Sequence, residues 1–383
     1  MKIVTIIGAR PQFIKAAVVS RAIRQQGKLT DILVHTGQHY DENMSDVFFS
    51  ELGIPAPDHH LGVGSGGHAA QTGRMLLALG ELLPSLAPQL VLIYGDTNST
   101  LAGALAAAKL QIPVAHVEAG LRSFNRRMPE EVNRVVADHV SDLLFAPTDG
   151  AVENLRREGI AGPHVRQVGD VMYDATLIFG AKARQRPILA NLGLREQGYV
   201  LATVHRAENT DDPARLTAIF SALAKVAQNV PVIVPLHPRT RQALARHGLA
   251  DSIHHAPRDA SPHAKREEYY AGMQLIDPLG YLDMMALQCG ARLIVTDSGG
   301  VQKEAYFHRV PCLTLRGETE WTELVDFGFN RLADPTTSAG VETAIVAALE
   351  SHPDWSAGAN LYGTGTAADT IATELVQQGE RGA

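Results

Sequence analysis

Cysteine is nearly absent from this chain, which has only Cys289 and Cys312 in 383 residues. Two isolated thiols give no metal-type spacing. Cys289 precedes the apolar run ARLIV and Cys312 lies within VPCLTL, so both are expected to be buried free thiols acting as small hydrophobes. An excess of positive charge is also missing: the formal net charge is −7. That speaks against a nucleic-acid or anionic-membrane partner, because each favours a basic surface. Any anion site must be a local cluster of cations. No apolar run reaches the roughly 18 residues of a membrane span. Leu101–Ala108 meets Lys109, and LVLIYGD stops at Asp96. The first residues, MKIVTIIGARP, read into a strand and a glycine turn and not as a signal peptide. The expected location is cytoplasmic.

What is present is core material. Hydrophobic residues make up 45% and charged residues 20%, which excludes a disordered chain. The length suits about two domains. Short β-branched runs alternate with helical periods. Lys2–Ile7, Ile32–His35, Leu90–Tyr94, Val114–Val117 and Asp142–Ala146 read as strands, the last closing the first half. Phe13–Gln25 and Thr100–Leu110 read as helices. The series restarts with Tyr199–Thr203, a helix over Ala214–Gln228, and strands at Val232–Pro235, Ile253–His255, Met273–Ile276, Leu293–Thr296 and Cys312–Leu315. Runs this apolar suit strands covered on both faces, and strand–helix alternation implies doubly wound α/β halves. The expected division is 1–169, 170–360 and a terminal segment 361–383, with a hinge near Gly169–Ala175. Two such sheets facing a central cleft would line it with strand-end loops, where ligands of open parallel sheets bind.

Five strand ends carry chemistry. In Gly8-Ala9-Arg10-Pro11-Gln12-Phe13-Ile14-Lys15 a glycine turn precedes a helix opened by proline, with Arg10 and Lys15 beside it. This reads as a phosphate site, or else as a turn with two solvated cations. In Tyr94-Gly95-Asp96-Thr97-Asn98-Ser99-Thr100 an apolar strand delivers Asp96, which either caps the next helix or takes part in chemistry. Glu118 follows the strand in HVEAGLR, and Glu130 opens a helix in MPEEVNR, which also holds Arg134. Carboxylates in one cleft would disfavour their joint ionisation, which suits acid–base work. His205, Arg206 and Glu208 follow a strand in TVHRAEN, and His237 repeats the pattern in PLHPR. Thr296-Asp297-Ser298-Gly299-Gly300-Val301-Gln302-Lys303-Glu304 places Ser298, Gly299 and Gly300 at a helix start fit for a phosphate. Glu304 would accept from a ribose diol. Two anion sites imply a diphosphate, a ribose acid implies a nucleotide, and grouped carboxylates with a histidine imply proton transfer.

In order, GARPQFIK, GDTNSTLAG, HVEAGLRS, MPEEVNR, HRAEN and TDSGGVQKEA resemble the non-hydrolysing UDP-N-acetylglucosamine 2-epimerases, across about Ile7 to Trp321. The resemblance implies a GT-B-like pair of Rossmann domains, a homodimer, and no obligatory metal or nicotinamide. It implies elimination of UDP to a 2-acetamidoglucal and re-addition with a proton on the other face of carbon 2. By motif position, Asp96, Glu118 and Glu130 would be the acid–base and sugar-site carboxylates. His205 would assist the leaving group. Arg10, Ser298 and Gly299 would hold phosphates with Lys15 in support, and Glu304 the ribose. Arg134 and Arg206 would be supporting cations. The C-terminal helix would return to the first half.

The expected reaction is UDP-GlcNAc to UDP-ManNAc. GARPQFIK and Thr319-Glu320-Trp321 also resemble the branch acting on UDP-2,3-diacetamido-2,3-dideoxyglucuronate, whose carboxylate Arg126 or Arg127 could meet. Gln38-His39-Tyr40-Asp41-Glu42 departs from the Gln-His-Arg segment tied to an activating second substrate molecule. A glycosyltransferase of the same architecture is the reading from another reaction class, and would need an acceptor.

Overall fold

A computed structural model describes residues 1–38, 52–53, 56–249, 268–270 and 272–381. The expected strand Ile253–His255 and the segment His39–Glu42 lie outside the described residues. The chain divides into two units, one of Met1–Phe179 with Asn360–Ala383, the other of Gly180–Ala359.

The first unit holds β1 (Lys2–Ile7), β2 (Thr30–His35), β3 (His59–His60), β4 (Leu90–Tyr94), β5 (Val114–Val117), β6 (Leu143–Ala146) and β7 (Val165–Gln167). They form one parallel sheet in the order β3-β2-β1-β4-β5-β6-β7. Every residue of β4 is buried, as its unbroken apolar run requires of a strand covered on both faces. Val4, Ile6, Val91 and Ile93 pack with Ala102, Ala106, Met75 and Leu79 from two helices. Each of the valine, isoleucine, leucine and methionine side chains contributes about 1.5–3 kcal/mol on burial. Helix Arg10–Gln26 has proline in its first turn and ends on Gly27 in the left-handed region. The strand ending at Ala146 is not the last of this half, since β7 lies beyond it.

The second unit holds β8 (Val200–Thr203), β9 (Val232–Pro235), β10 (Glu268–Tyr270), β11 (Met273–Ile276), β12 (Leu293–Thr296), β13 (Cys312–Thr314) and β14 (Asn330–Leu332). Their order is β10-β11-β9-β8-β12-β13-β14, parallel except for β10 against β11. Both sheets are doubly wound. The strand order reverses between β1 and β4 in one and between β8 and β12 in the other, and a ligand is expected outside the carboxyl ends at those switch points.

The boundary differs from the loop hinge expected near Gly169–Ala175. Helix Val171–Arg184 runs through it unbroken, and the first unit ends at Phe179. Helix Ala367–Arg381 belongs to the first unit and packs on Arg10–Gln26. Asp174 accepts its Ala368 N–H at 2.7 Å, and Arg166 pairs with Glu374 at 3.1 Å. Cys312 is buried, but Cys289 is only partly so and lies 3.2 Å from His308 Nδ1. Among the described residues no helix is long and apolar enough to cross a membrane.

Candidate active site

The switch point of the first sheet is crowded by design of the chain. Gly8 follows β1, and a Cβ there would lie 2.1 Å from Thr36 Oγ and 2.2 Å from Ser99 Oγ. Only glycine lets these strand ends approach. Gln12 then ties two loops together. Its Oε1 accepts from the Gly8 and Ala9 N–H groups at 2.8 and 3.1 Å, and its Nε2 donates to the Tyr94 carbonyl at 2.9 Å. Arg10 is partly exposed at the start of this helix.

Asp96 does not cap the helix after β4. Thr97 does so, accepting from Thr100 N–H, and Asp96 is ion-paired with Arg134. Arg134 also holds Glu131 at 2.8 Å. Asn133 donates to the Asp96 carbonyl at 2.8 Å. Helix Pro129–Val140 therefore grips the Asp96 loop from one face.

Glu118 leaves β5 with φ of 72°, a region costly for a residue with a Cβ. Its carboxylate lies 2.5 Å from the Lys15 ammonium, and both side chains are less than a tenth exposed. The carboxylates are thus not an unscreened like-charge cluster. Asp96 and Glu118 are each paired with a cation, Arg134 and Lys15. Lys15 is engaged by Glu118 instead of standing as a loose cation for phosphate. Glu130 sits in the first turn of its helix, partly exposed. Its neighbour Glu131, overlooked in the sequence, is buried and accepts from the Ser123 and Phe124 N–H groups at 2.9 Å.

In the second unit the organising group is Asp297, fully buried after β12. It accepts from the His205 and Arg206 N–H groups and from Asn209 Nδ2, all at 3.0 Å. His205 Nδ1 is 3.4 Å from the same carboxylate, and the side chain is 35% exposed. His237 lies with its ring centre 5.4 Å from that of His205, but its Nδ1 caps helix Pro238–Arg246 by accepting from Arg239 N–H at 3.1 Å.

Ser298 is the N-cap of helix Gly299–Phe307 and makes no side-chain cap bond there. Gly299 is buried and Gly300 exposed. A Cβ at Gly299 would meet Glu320 Oε1 at 2.3 Å, with Arg206 Nη2 at 3.6 Å. Arg316 holds Glu320 at 3.0 Å. A helix start with a positive end, a capping serine and two arginines close by can take a phosphate. Glu304, deeper in this helix and partly exposed, accepts from Gln288 Nε2 at 2.5 Å. Among the described residues no histidine, cysteine or acid cluster could hold a metal.

A sequence model of the family described as UDP-N-acetylglucosamine 2-epimerase matches residues 21–376. The chain belongs to this non-hydrolysing 2-epimerase family. It is 50% identical to the UDP-2,3-diacetamido-2,3-dideoxy-D-glucuronate 2-epimerase of Pseudomonas aeruginosa, over 98% of this chain and all of that one. It is 51% identical to a UDP-N-acetylglucosamine 2-epimerase homolog of Methanococcus maripaludis, over 87% of this chain and 88% of that one. The crystal structure of Methanocaldococcus jannaschii UDP-GlcNAc 2-epimerase in complex with UDP-GlcNAc and UDP superposes with a TM-score of 0.88 at 40% identity, over 98% of this chain and all of that one. In this 2-epimerase the two GT-B-like sheets therefore carry their polar residues at the ends where the fold binds ligands.

Proposed function

We propose that this 2-epimerase inverts carbon 2 of UDP-2,3-diacetamido-2,3-dideoxyglucuronate. The observation that carries the choice is the full-length 50% identity to the Pseudomonas aeruginosa enzyme of that name. The reading revises the UDP-GlcNAc preference drawn from the motifs. UDP-GlcNAc stays as the second reading, favoured by the fit to the Methanocaldococcus jannaschii structure.

The proton on carbon 2 is not next to a carbonyl, so its removal must be coupled to departure of UDP. A carboxylate takes the proton, the C2–H electrons form the C1–C2 double bond, and the C1–O bond breaks with its electrons leaving on UDP. Return of UDP to C1 and of a proton to the other face of C2 gives the epimer. In this proposal Asp96, Glu118 and Glu130 serve as the acid–base and sugar-site carboxylates. Ser298, Gly299 and Gly300 offer the helix start to the diphosphate, with Arg10, Arg206 and His205 adding charge or a proton as it leaves. Glu304 receives the ribose. Lys15 and Arg134 act on Glu118 and Asp96, with which they are paired. A cytoplasmic homodimer is proposed on the family resemblance.

The test is incubation of the purified protein with either UDP-sugar in deuterated buffer, following carbon 2 by NMR. Epimer carrying deuterium at C2 from the diacetamido uronate, at a kcat/KM well above that for UDP-GlcNAc, supports the proposal. Turnover confined to UDP-GlcNAc moves the assignment to the second reading. Reaction of neither without an acceptor removes both.

A further inference from the structure

His116, in the middle of β5, has no exposed surface and lies outside every role assigned above. Its Nε2 is 2.7 Å from the Gly95 carbonyl, and its Nδ1 is 2.7 Å from Asp138 Oδ1. A carbonyl can only accept a hydrogen bond, so Nε2 carries a proton. Asp138 also faces donors elsewhere: Oδ2 accepts from Gly120 N–H at 3.0 Å and from Arg122 Nη1 at 2.7 Å. Burial pushes the Asp138 carboxyl up, but the hydrogen bonds and charges of His116 and Arg122 outweigh it and hold the group below the ordinary carboxylate range. An ionised Asp138 requires a proton on Nδ1 as well.

From this geometry we infer that His116 is a positioning residue, a buried imidazolium that clamps the two loops bearing Asp96 and Glu118. One ring nitrogen holds Gly95, the residue before Asp96. The other holds Asp138, which holds Gly120, two residues after Glu118. Arg122 completes the balance by a two-pronged pair with Glu158 at 2.7 Å, and His139 Nδ1 lies 3.8 Å from Glu158. Two cations, His116 and Arg122, thus stand against two carboxylates, Asp138 and Glu158. A full complement of partners is what lets buried charge persist. The clamp also accounts for the positive φ of Glu118, a conformation that persists only where its surroundings over-determine it. A neutral histidine would leave one of the two loops without its anchor.

The inference rests on the reading of Asp96 and Glu118 as acid–base groups, but its first test does not depend on activity. Protein labelled with 15N-histidine is examined by imidazole NMR at about neutral pH. One ring with both nitrogens protonated, lost in H116Q, is the expected result. A His116 ring with a single N–H in the native protein would overturn the inference. The second test is kinetic. H116Q should lose about tenfold or more in kcat with KM changed less than about threefold, as loops drift from working geometry while UDP contacts stay. Equal kcat for H116Q and the native enzyme would also overturn it. If H116Q does not fold, the NMR signature of the unsubstituted protein still decides, with D138N as the assigning variant.

Discussion

Lys15 and Glu118 form a buried ion pair at 2.5 Å across 103 residues of sequence. Removing one partner of a buried ion pair typically costs about 3–5 kcal/mol. K15M should therefore unfold at lower urea concentration than the native protein. K15M/E118Q should recover part of the loss, because both charges of the pair are then removed together. Denaturant titration of the native protein, both single variants and the double variant measures the coupling. Additive effects would mean that the pair carries no mutual stabilisation.

Asp297 supports a second prediction. Its carboxylate receives three donors from the His205 loop. Asparagine would turn an N–H₂ group toward some of them, with an unmet-donor cost of about 2–3 kcal/mol. D297N should also misplace His205 and lower kcat/KM by roughly a hundredfold, the scale of a small displacement of a reacting group. Thermal melts and steady-state kinetics on D297N test both effects. A variant with unchanged kcat/KM would show that His205 needs no such support.

These two contacts mark where sequence reading stops. Strand ends were legible because an apolar run that gives way to glycine or to polar residues is a local pattern, and Gly8, Asp96, Glu118, His205 and Ser298 all follow a strand as expected. Side-chain partners were not legible. Lys15 meets Glu118 at 103 residues' separation and His205 meets Asp297 at 92, distances with no trace in local spacing. The role of Asp297 is not legible within its own motif, because it depends on β8 and β12 being neighbours. Glu131 did leave a signal, since it stands three residues before Arg134 on one helix face. The edge strands His59–His60, Val165–Gln167 and Asn330–Leu332 are too short and too polar to show a period. The unit boundary is not legible because it falls inside helix Val171–Arg184, where Gly180 follows Phe179 without ending the helix.

Substrate choice supports a third prediction. Arg126 and Arg127 are exposed on a loop anchored by Glu131, through the Ser123 and Phe124 N–H groups, and by the bond from Arg127 N–H to Asn125 at 3.1 Å. A sugar carboxylate is well met by a guanidinium, often through two parallel hydrogen bonds. R126A/R127A should reduce kcat/KM for the diacetamido uronate by about tenfold to a hundredfold and leave that for UDP-GlcNAc within about threefold. Competition kinetics with both sugars would read the ratio directly. Full activity of the double variant on the uronate would remove these arginines from its recognition.

Acid stability supports the fourth. Burial, with some help from the charge of Arg184, pushes His308 down from its ordinary value of 6.5 to about 4. Its Nδ1 faces the Cys289 thiol at 3.2 Å, an arrangement suited to a neutral ring accepting from S–H. In the unfolded chain the ring binds a proton below about pH 6.5, while in the folded chain it does so only near pH 4. Between those values the unfolded state holds more protons, so stability falls as pH is lowered through the window. The full difference is on the order of 3 kcal/mol. Asp138 acts in the same direction at lower pH, because a carboxyl held below its ordinary range loses its contribution as it protonates. Comparing H308L with the native protein therefore isolates the histidine. Urea unfolding at about pH 7 and 4.5 should show a smaller acid-side loss in H308L than in the native protein. Parallel losses in both would place the acid sensitivity elsewhere in the fold.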